Sequence, residues 1–315
     1  SNLKFRVSYG ETGNQGIGSY RTLPQLNVAN YVYDGQLKSG AAMTSWRGPV
    51  DENIKWETTS QWNAGIDFGW GDNRLTLTVD YYHKKTRDLL QEVKIPPSTG
   101  FSNMLTNTGN VTNEGLEFVL GATPIDKNGW HWDVNANISF NKNTIGGLEG
   151  DQFANTLWYG ADQVFIQRNG CPIGAMYGYV EDGFYDNEAE VRADPQYTFA
   201  SDATVKSMIG EIKYVDLNGD QVINEKDRTI IGDTNPKFVY GLTNNVSWKN
   251  LSLSFMLQGS QGNDVFNGNL QDMRLGNIGN ITREIYDARW TADNYEHAAW
   301  PKATAGYSRE WRISN

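Results

Sequence analysis

Apolar and polar residues alternate along seven stretches of this chain, so each stretch reads as a β-strand with two chemically opposite faces. Within 61–71, Trp62, Ala64, Ile66, Phe68 and Trp70 share one face, and Asn63, Gly65, Asp67 and Gly69 share the other. The pattern recurs at Leu3, Phe5, Val7, Tyr9; at Leu75, Leu77, Val79, Tyr81; at Leu116, Phe118, Leu120, Ala122; and at Trp130, Trp132, Val134, Ala136, Ile138, Phe140. Two more strands follow, with Phe238, Tyr240, Leu242, Val246 and Trp248 on one and Leu251, Leu253, Phe255 and Leu257 on the other. Asn244 interrupts these apolar faces, and no charge falls on them.

The opposite faces carry Lys4, Arg6, Asp67, Asp80, Glu117, His131 and Asp133. A dry core does not hold such groups without partners, whereas a water-filled lumen does. A β-sandwich also alternates, but its strands usually run ~5–6 residues. The stretches here run about ten, and ten residues tilted by ~40° cross the ~25 Å apolar band of an outer-membrane barrel. Length therefore favours an all-β fold, a transmembrane antiparallel barrel.

Connection lengths point the same way. Gly71-Asp72-Asn73, Asp126-Lys127-Asn128-Gly129 and Lys249-Asn250 have the composition of tight hairpin turns. The intervening connections, roughly 11–56, 91–110 and 145–236, are long. Short turns at one end and long loops at the other is the arrangement of outer-membrane barrels, with turns in the periplasm and loops outside the cell. Trp70, Trp130, Trp132 and Trp248 sit beside the short turns, where an aromatic girdle belongs. Seven strands do not close a bacterial barrel, so residues 1–315 are expected to be part of one barrel domain, with 263–315 as a further outer loop and the neighbouring strands elsewhere.

Composition narrows the function. The chain is 38% hydrophobic and 12% aromatic, and no run of 18 apolar residues suits a transmembrane helix. Its negative mean hydropathy is compatible with a barrel, where only alternate strand residues meet lipid. A net charge of −10 argues against nucleic acid as a partner. Cys171 is alone, which excludes an internal disulfide and a CxxC zinc site. His83, His131 and His297 are far apart in sequence, hydrolase and nucleotide motifs are missing, and Gly13, Gly16 and Gly18 lack a surrounding strand–helix unit, so no enzyme is expected.

One loop has metal-ligand spacing. Asp216, Asn218 and Asp220 stand at positions 1, 3 and 5 of a twelve-residue run, Val222 offers a carbonyl at 7, and Asn224 and Asp227 stand at 9 and 12. Calcium takes six to eight oxygens from such a loop, which makes a structural Ca2+ the candidate cofactor. Gln221 replaces the usual sharp-turn glycine, Asp227 replaces the usual glutamate, and a metal-free Asx-rich turn is the alternative. The long loops also hold Trp158, Tyr159, Trp290, Trp300 and Trp311. Their flat rings are candidates for stacking on sugar, although packing within the loops or under a partner protein is the favoured role.

Five ordered phrases resemble the SusC/RagA-type TonB-dependent transporters: SYGETGNQGIG at 8–18, NEGLEF at 113–118, YGYVEDGFY at 177–185, YVDLNGDQVINEKDRTIIGDTNPKFVYG at 214–241, and LQGSQGNDVFN at 257–267. The resemblance implies a 22-stranded barrel with an N-terminal plug, energised through TonB by way of an N-terminal region outside these residues. It also implies a SusD-like surface lipoprotein as lid, outer-membrane lipid around the barrel, and an oligosaccharide or peptide substrate. Importer, passive porin and secreted calcium-dependent glycan-binding protein are the three competing readings.

Overall fold

The computed structural model describes residues 1–16, 26–43, 49–51, 53–101, 103–153, 164–267 and 281–303. Its dominant element is an antiparallel sheet of seven strands: Asn2–Asn14, Glu57–Trp70, Leu75–Arg87, Asn110–Lys127, Trp130–Gly146, Phe238–Trp248 and Leu251–Gln261, here the first to the seventh. Each pairs with its predecessor and successor, giving the up-and-down order that short turns and long returns predict. The first five run 13 to 18 residues, longer than the alternation alone suggests, because pairing continues past the apolar band toward the long loops.

Register is what makes the sheet two-faced. One row reads Leu3, Phe68, Leu77, Leu120, Ala136, Leu242, Leu257 across all seven strands. The next apolar row reads Phe5, Ile66, Val79, Phe118, Ile138, Tyr240. A slip of one residue in any strand would put its polar set into these rows, so hydrophobic pattern and pairing specify each other. From Trp130 to Phe140 the band covers ten residue steps, about 25 Å at the usual rise and tilt. Trp130 and Trp248 stack at 5.4 Å between ring centroids beside the short turns.

Local chemistry fixes the turns. Asn128 and Gly129 both have positive φ, the requirement of a two-residue type I′ hairpin whose twist matches the flanking strands. Between Ala122 and Ile125 the fourth strand carries an irregularity opposite Val134 and Trp132. Pro124, which has no N–H for a ladder bond, sits there, and beyond it Ile125 returns to the apolar face opposite Trp132. Asn244 accepts the Trp132 indole N–H at 3.3 Å, so its polar group is paired on an otherwise apolar face.

The long connections contain structure that alternation did not predict. Residues 11–56 include a hairpin, Leu26–Tyr33 with Gln36–Met43, closed by Asp34-Gly35 with both φ positive. Leu90–Lys94 pairs with Asn103–Asn107 in the next loop. Val111, Ile145 and Leu148, with Leu89 against them, form a small buried cluster at this end of the sheet. Cys171 is a half-buried free thiol whose carbonyl accepts the Ile145 amide at 2.8 Å.

The chain divides into two compact units, the sheet with its hairpins and a second made of 153–166, 174–235 and 263–315. In the second, strands Ala175–Gly178 and Thr229–Asp233 pair antiparallel. Helix Glu188–Ala193 starts at Asn187, whose side chain accepts the Glu190 amide, and helix Asp202–Met208 starts at Ser201, which accepts the Thr204 amide. Their inner faces bury Tyr185, Val191, Tyr197, Val205 and Met208 in an ordinary core. The 145–236 connection is thus largely folded.

Candidate functional site

The polar face of the first three strands carries a charge network that depends on a glycine. Arg6 donates Nε to Asp67 Oδ2 at 2.8 Å and Nη2 to Asp67 Oδ1 and Asp80 Oδ2 at 3.0 Å each. Asp80 belongs to the third strand, so the guanidinium must cross the second, and it does so above Gly65. A Cβ at Gly65 would collide with the Asp80 carboxylate and stand 2.8 Å from Arg6 Nη2. Thr78 adds a hydroxyl bond to Asp67 at 3.0 Å. The same device recurs farther along: Tyr82 reaches over Gly115, where a Cβ would lie 2.5 Å from its hydroxyl, to bond Asn141 at 2.9 Å.

Toward the short turns His131 lies between Asp126, at 3.2 Å, and Asp133, at 2.6 Å. It alternates with Trp130 and Trp132 onto the polar face, as expected. On the fifth to seventh strands that face is uncharged beyond Asp133, with Asn135, Asn137, Thr243, Asn245, Ser252 and Ser254. The wall is mostly hydrophilic, suited to water and to polar solutes, with Val119, Val239 and Met256 as apolar exceptions.

The 216–227 run forms one compact turn. Asp216 accepts the amides of Gly219 at 2.7 Å and Gln221 at 2.8 Å, Asn218 that of Asp220 at 2.7 Å, and Asp220 that of Val222 at 3.0 Å. Asp227, fully buried, accepts from Leu217 at 3.1 Å and from Asn224 at 2.8 Å. Asn224 in turn donates to the Val222 carbonyl at 2.9 Å. The Gln221 amide, with smaller contributions from Gly219, Asp227 and Asp220, holds the Asp216 carboxyl below the usual carboxylate range.

Two observations bear on whether calcium fits. Gln221 adopts φ +67°, so the sharp turn at the sixth position is made without the glycine that usually makes it. Asp216, Asn218, Asp220 and Asp227 turn side-chain oxygens to backbone amides, as the metal-free Asx-rich turn does. Among the described residues no three His, Cys, Asp or Glu side chains converge as a metal cluster. Further ligands would therefore have to come from Asn218 and the Val222 carbonyl. The donor types in the run are all oxygens, the kind a hard ion takes.

Of the candidate aromatics, Trp158, Tyr159 and Trp311 lie outside the described residues. Trp290 is half-buried; its indole N–H donates to Asp186 at 2.9 Å, and its ring lies over Gly210, where a Cβ would stand 2.6 Å away. Trp300 is also half-buried, and its carbonyl accepts the Trp290 amide at 2.7 Å. The alternation missed Arg228, whose guanidinium lies 4.6 Å from the Tyr177 ring centroid and 5.8 Å from that of Phe153. No periodicity marks that grouping, because its members come from separate short segments.

Comparison with known proteins agrees with this geometry. Residues 1–207 match the family model described as "TonB dependent receptor-like, beta-barrel". The chain is 34% identical over 303 residues to the TonB-dependent receptor P26 of Formosa agariphila, covering 93% of this chain and 29% of that protein. It is 35% identical over 269 residues to the TonB-dependent receptor SusC of Bacteroides thetaiotaomicron, covering 84% and 26% respectively. Among solved structures, the RagAB peptide transporter superposes with TM-score 0.74 at 25% identity, over 99% of this chain and 32% of that one. The RagAB peptide importer in its 'open-open' state gives 0.74 at 26% identity, over 98% and 31%. The chain thus spans between a quarter and a third of the length of these relatives. They are receptors and transporters rather than enzymes. With a two-faced seven-stranded sheet and these matches, the chain belongs to the TonB-dependent receptor-like β-barrel family, as an outer-membrane barrel segment of the SusC/RagA type.

Proposed function

We propose that this chain forms part of the wall of an importer that takes up oligosaccharides or peptides across the outer membrane. Energy reaches it from TonB through a plug-bearing N-terminal region, and a SusD-like surface lipoprotein closes over the long loops, which face outward. The observation that carries this reading is the combination of a lipid-suited face with a hydrophilic wall in a chain similar to SusC over 84% of its length. In the same reading the 216–227 turn takes one calcium ion in a structural role, supported by the spacing of oxygen donors from Asp216 to Asp227 and by the left-handed backbone at Gln221 where such a loop turns sharply.

Uptake of labelled oligosaccharides and of labelled peptides by cells carrying or lacking the full-length protein tests the transport. Import of one class that stops when TonB is removed is the expected result. Uptake that persists without TonB would favour a passive pore. For the lid, protease added to intact cells is expected to cut within 147–237 only when the lipoprotein is deleted, and identical protection in both strains would remove the lid from this segment.

A further inference from the structure

Beyond the apolar band, toward the long loops, the lipid-suited face changes chemistry. The first row past it reads Tyr9, Trp62, His83, Glu114, Lys142. The second reads Glu11, Ser60, Lys85, Thr112, Thr144. Alternate residues of a strand share a face, so Lys85 and Lys142 lie on the side of Leu77 and Ile138, away from Arg6 and Asp80. Trp62 packs against Tyr81 at 5.3 Å and His83 at 6.0 Å between centroids, an aromatic layer of the kind that marks a membrane interface.

On this face Arg87 pairs with Glu11 at 3.1 Å, and the His83 ring lies 3.8 Å from Glu114. Among the described residues Lys85 and Lys142 have no ion-pair partner. Glu114 is the cross-strand partner of Lys142 and opposes an anion there, while the row of Lys85 continues into the hydroxyls of Thr112 and Thr144. Each row adds about 5 Å of height at the usual strand rise and tilt, so both lysines stand at headgroup depth.

We propose that Lys85 and Lys142, with the hydroxyls of Thr112 and Thr144, bind the phosphate of a phosphorylated lipid headgroup in the outer leaflet. A lipid is the occupant that fits because the cations continue the apolar rows that its chains already cover, whereas a free phosphate has nothing to hold it at that height. The leaflet rests on the outward orientation of the long loops proposed above. The binding itself does not, and it is measured on purified protein without any transport.

The test uses full-length protein in detergent, titrated with phosphatidylglycerol and followed by native mass spectrometry. Replacing both lysines, Lys85→Gln with Lys142→Gln, is expected to weaken lipid binding about thirty-fold, from roughly fivefold for each charge near a membrane surface. Lys84→Gln, one residue away but on the polar face, is expected to change it less than twofold, in the range of a surface substitution remote from the ligand. Equal retention by the double variant, or an equal loss in Lys84→Gln, overturns the proposal. Displacement of the lipid by millimolar inorganic phosphate overturns its source and leaves a simple anion site. Heat-modifiable mobility on gels reports whether the double variant folds; if it does not, the exposed Lys142→Gln alone is read, with about a fivefold loss expected.

Discussion

Ile66 of the second strand is 42% exposed and Leu120 of the fourth 38%, although both have strands on either side, whereas Val191 and Val205 in the helical part of the second unit are 0% exposed. Both regions come from one chain of unremarkable composition, yet they solve opposite solvent problems. In the helical part, apolar groups gain by leaving water, and two short capped helices close over a core. In the sheet, apolar groups stay on the surface, arranged in rows, and polar groups line the other side. A surface of that size would aggregate in water, so it specifies a non-aqueous surrounding. The difference teaches that hydrophobicity averaged over residues says little about solvent, while its direction along each strand says much.

The comparison breaks most sharply inside the small core. Met208→Ala is expected to cost about 2–5 kcal/mol of local stability, seen as faster amide exchange over 188–214 with unchanged heat-modifiable mobility of the barrel. Loss of barrel folding as well would mean that the helical part does not fold as its own unit. Next come two adjacent residues of the fifth strand. Ile138→Arg places a charge mid-band and is expected to cost ~2–4 kcal/mol, while Asn137→Arg, on the polar face, stays within about 0.5 kcal/mol. Equal loss of folded protein from both would show that the faces are wrongly assigned.

A smaller effect is expected at Gly65. Gly65→Ala displaces Arg6 from Asp80 and is expected to cost about 1–3 kcal/mol, with Asp80→Asn adding little in the Ala background because the two act on one network. Smallest is the 216–227 turn. Asp216 has a folded-state pKa below its ordinary 3.8, so its contribution is present above 3.8 and is lost as pH falls through the depressed value. Amide exchange of the turn should therefore accelerate only below that pH, and millimolar calcium should slow it at neutral pH in the native protein but not in Asp227→Asn. No slowing by calcium would leave the turn closed by its own amides.

The seven strands were legible because a period of two needs no knowledge of partners: Leu77 and Leu120 announce their faces before anything pairs them. The hairpin at 26–43 was signalled by Asp34-Gly35 but lacks strict alternation, since Tyr31, Val32 and Tyr33 follow one another without a polar residue between them. The helices of six and seven residues are too short to display a 3.6-residue period, so 188–208 read as loop. For the 216–227 turn the spacing located the residues, whereas the left-handed backbone at Gln221 ran against residue preference. The Arg6 network joins strands whose order only pairing reveals, and nothing in the sequence near Gly65 announces what crosses above it.

The irregularity at Pro124 also bears on how such a chain changes over generations. A single-residue insertion within a strand turns every residue between it and the next turn to the wrong side, so strand lengths are expected to drift in steps of two, while loops accept any number. Around Pro124 an odd residue has been absorbed, and Ile125 regains the side it would otherwise have lost. Such a position is where a lineage of these barrels can gain or lose one residue without inverting a strand, and chimeras between relatives should be joined there or in loops, in preference to mid-strand.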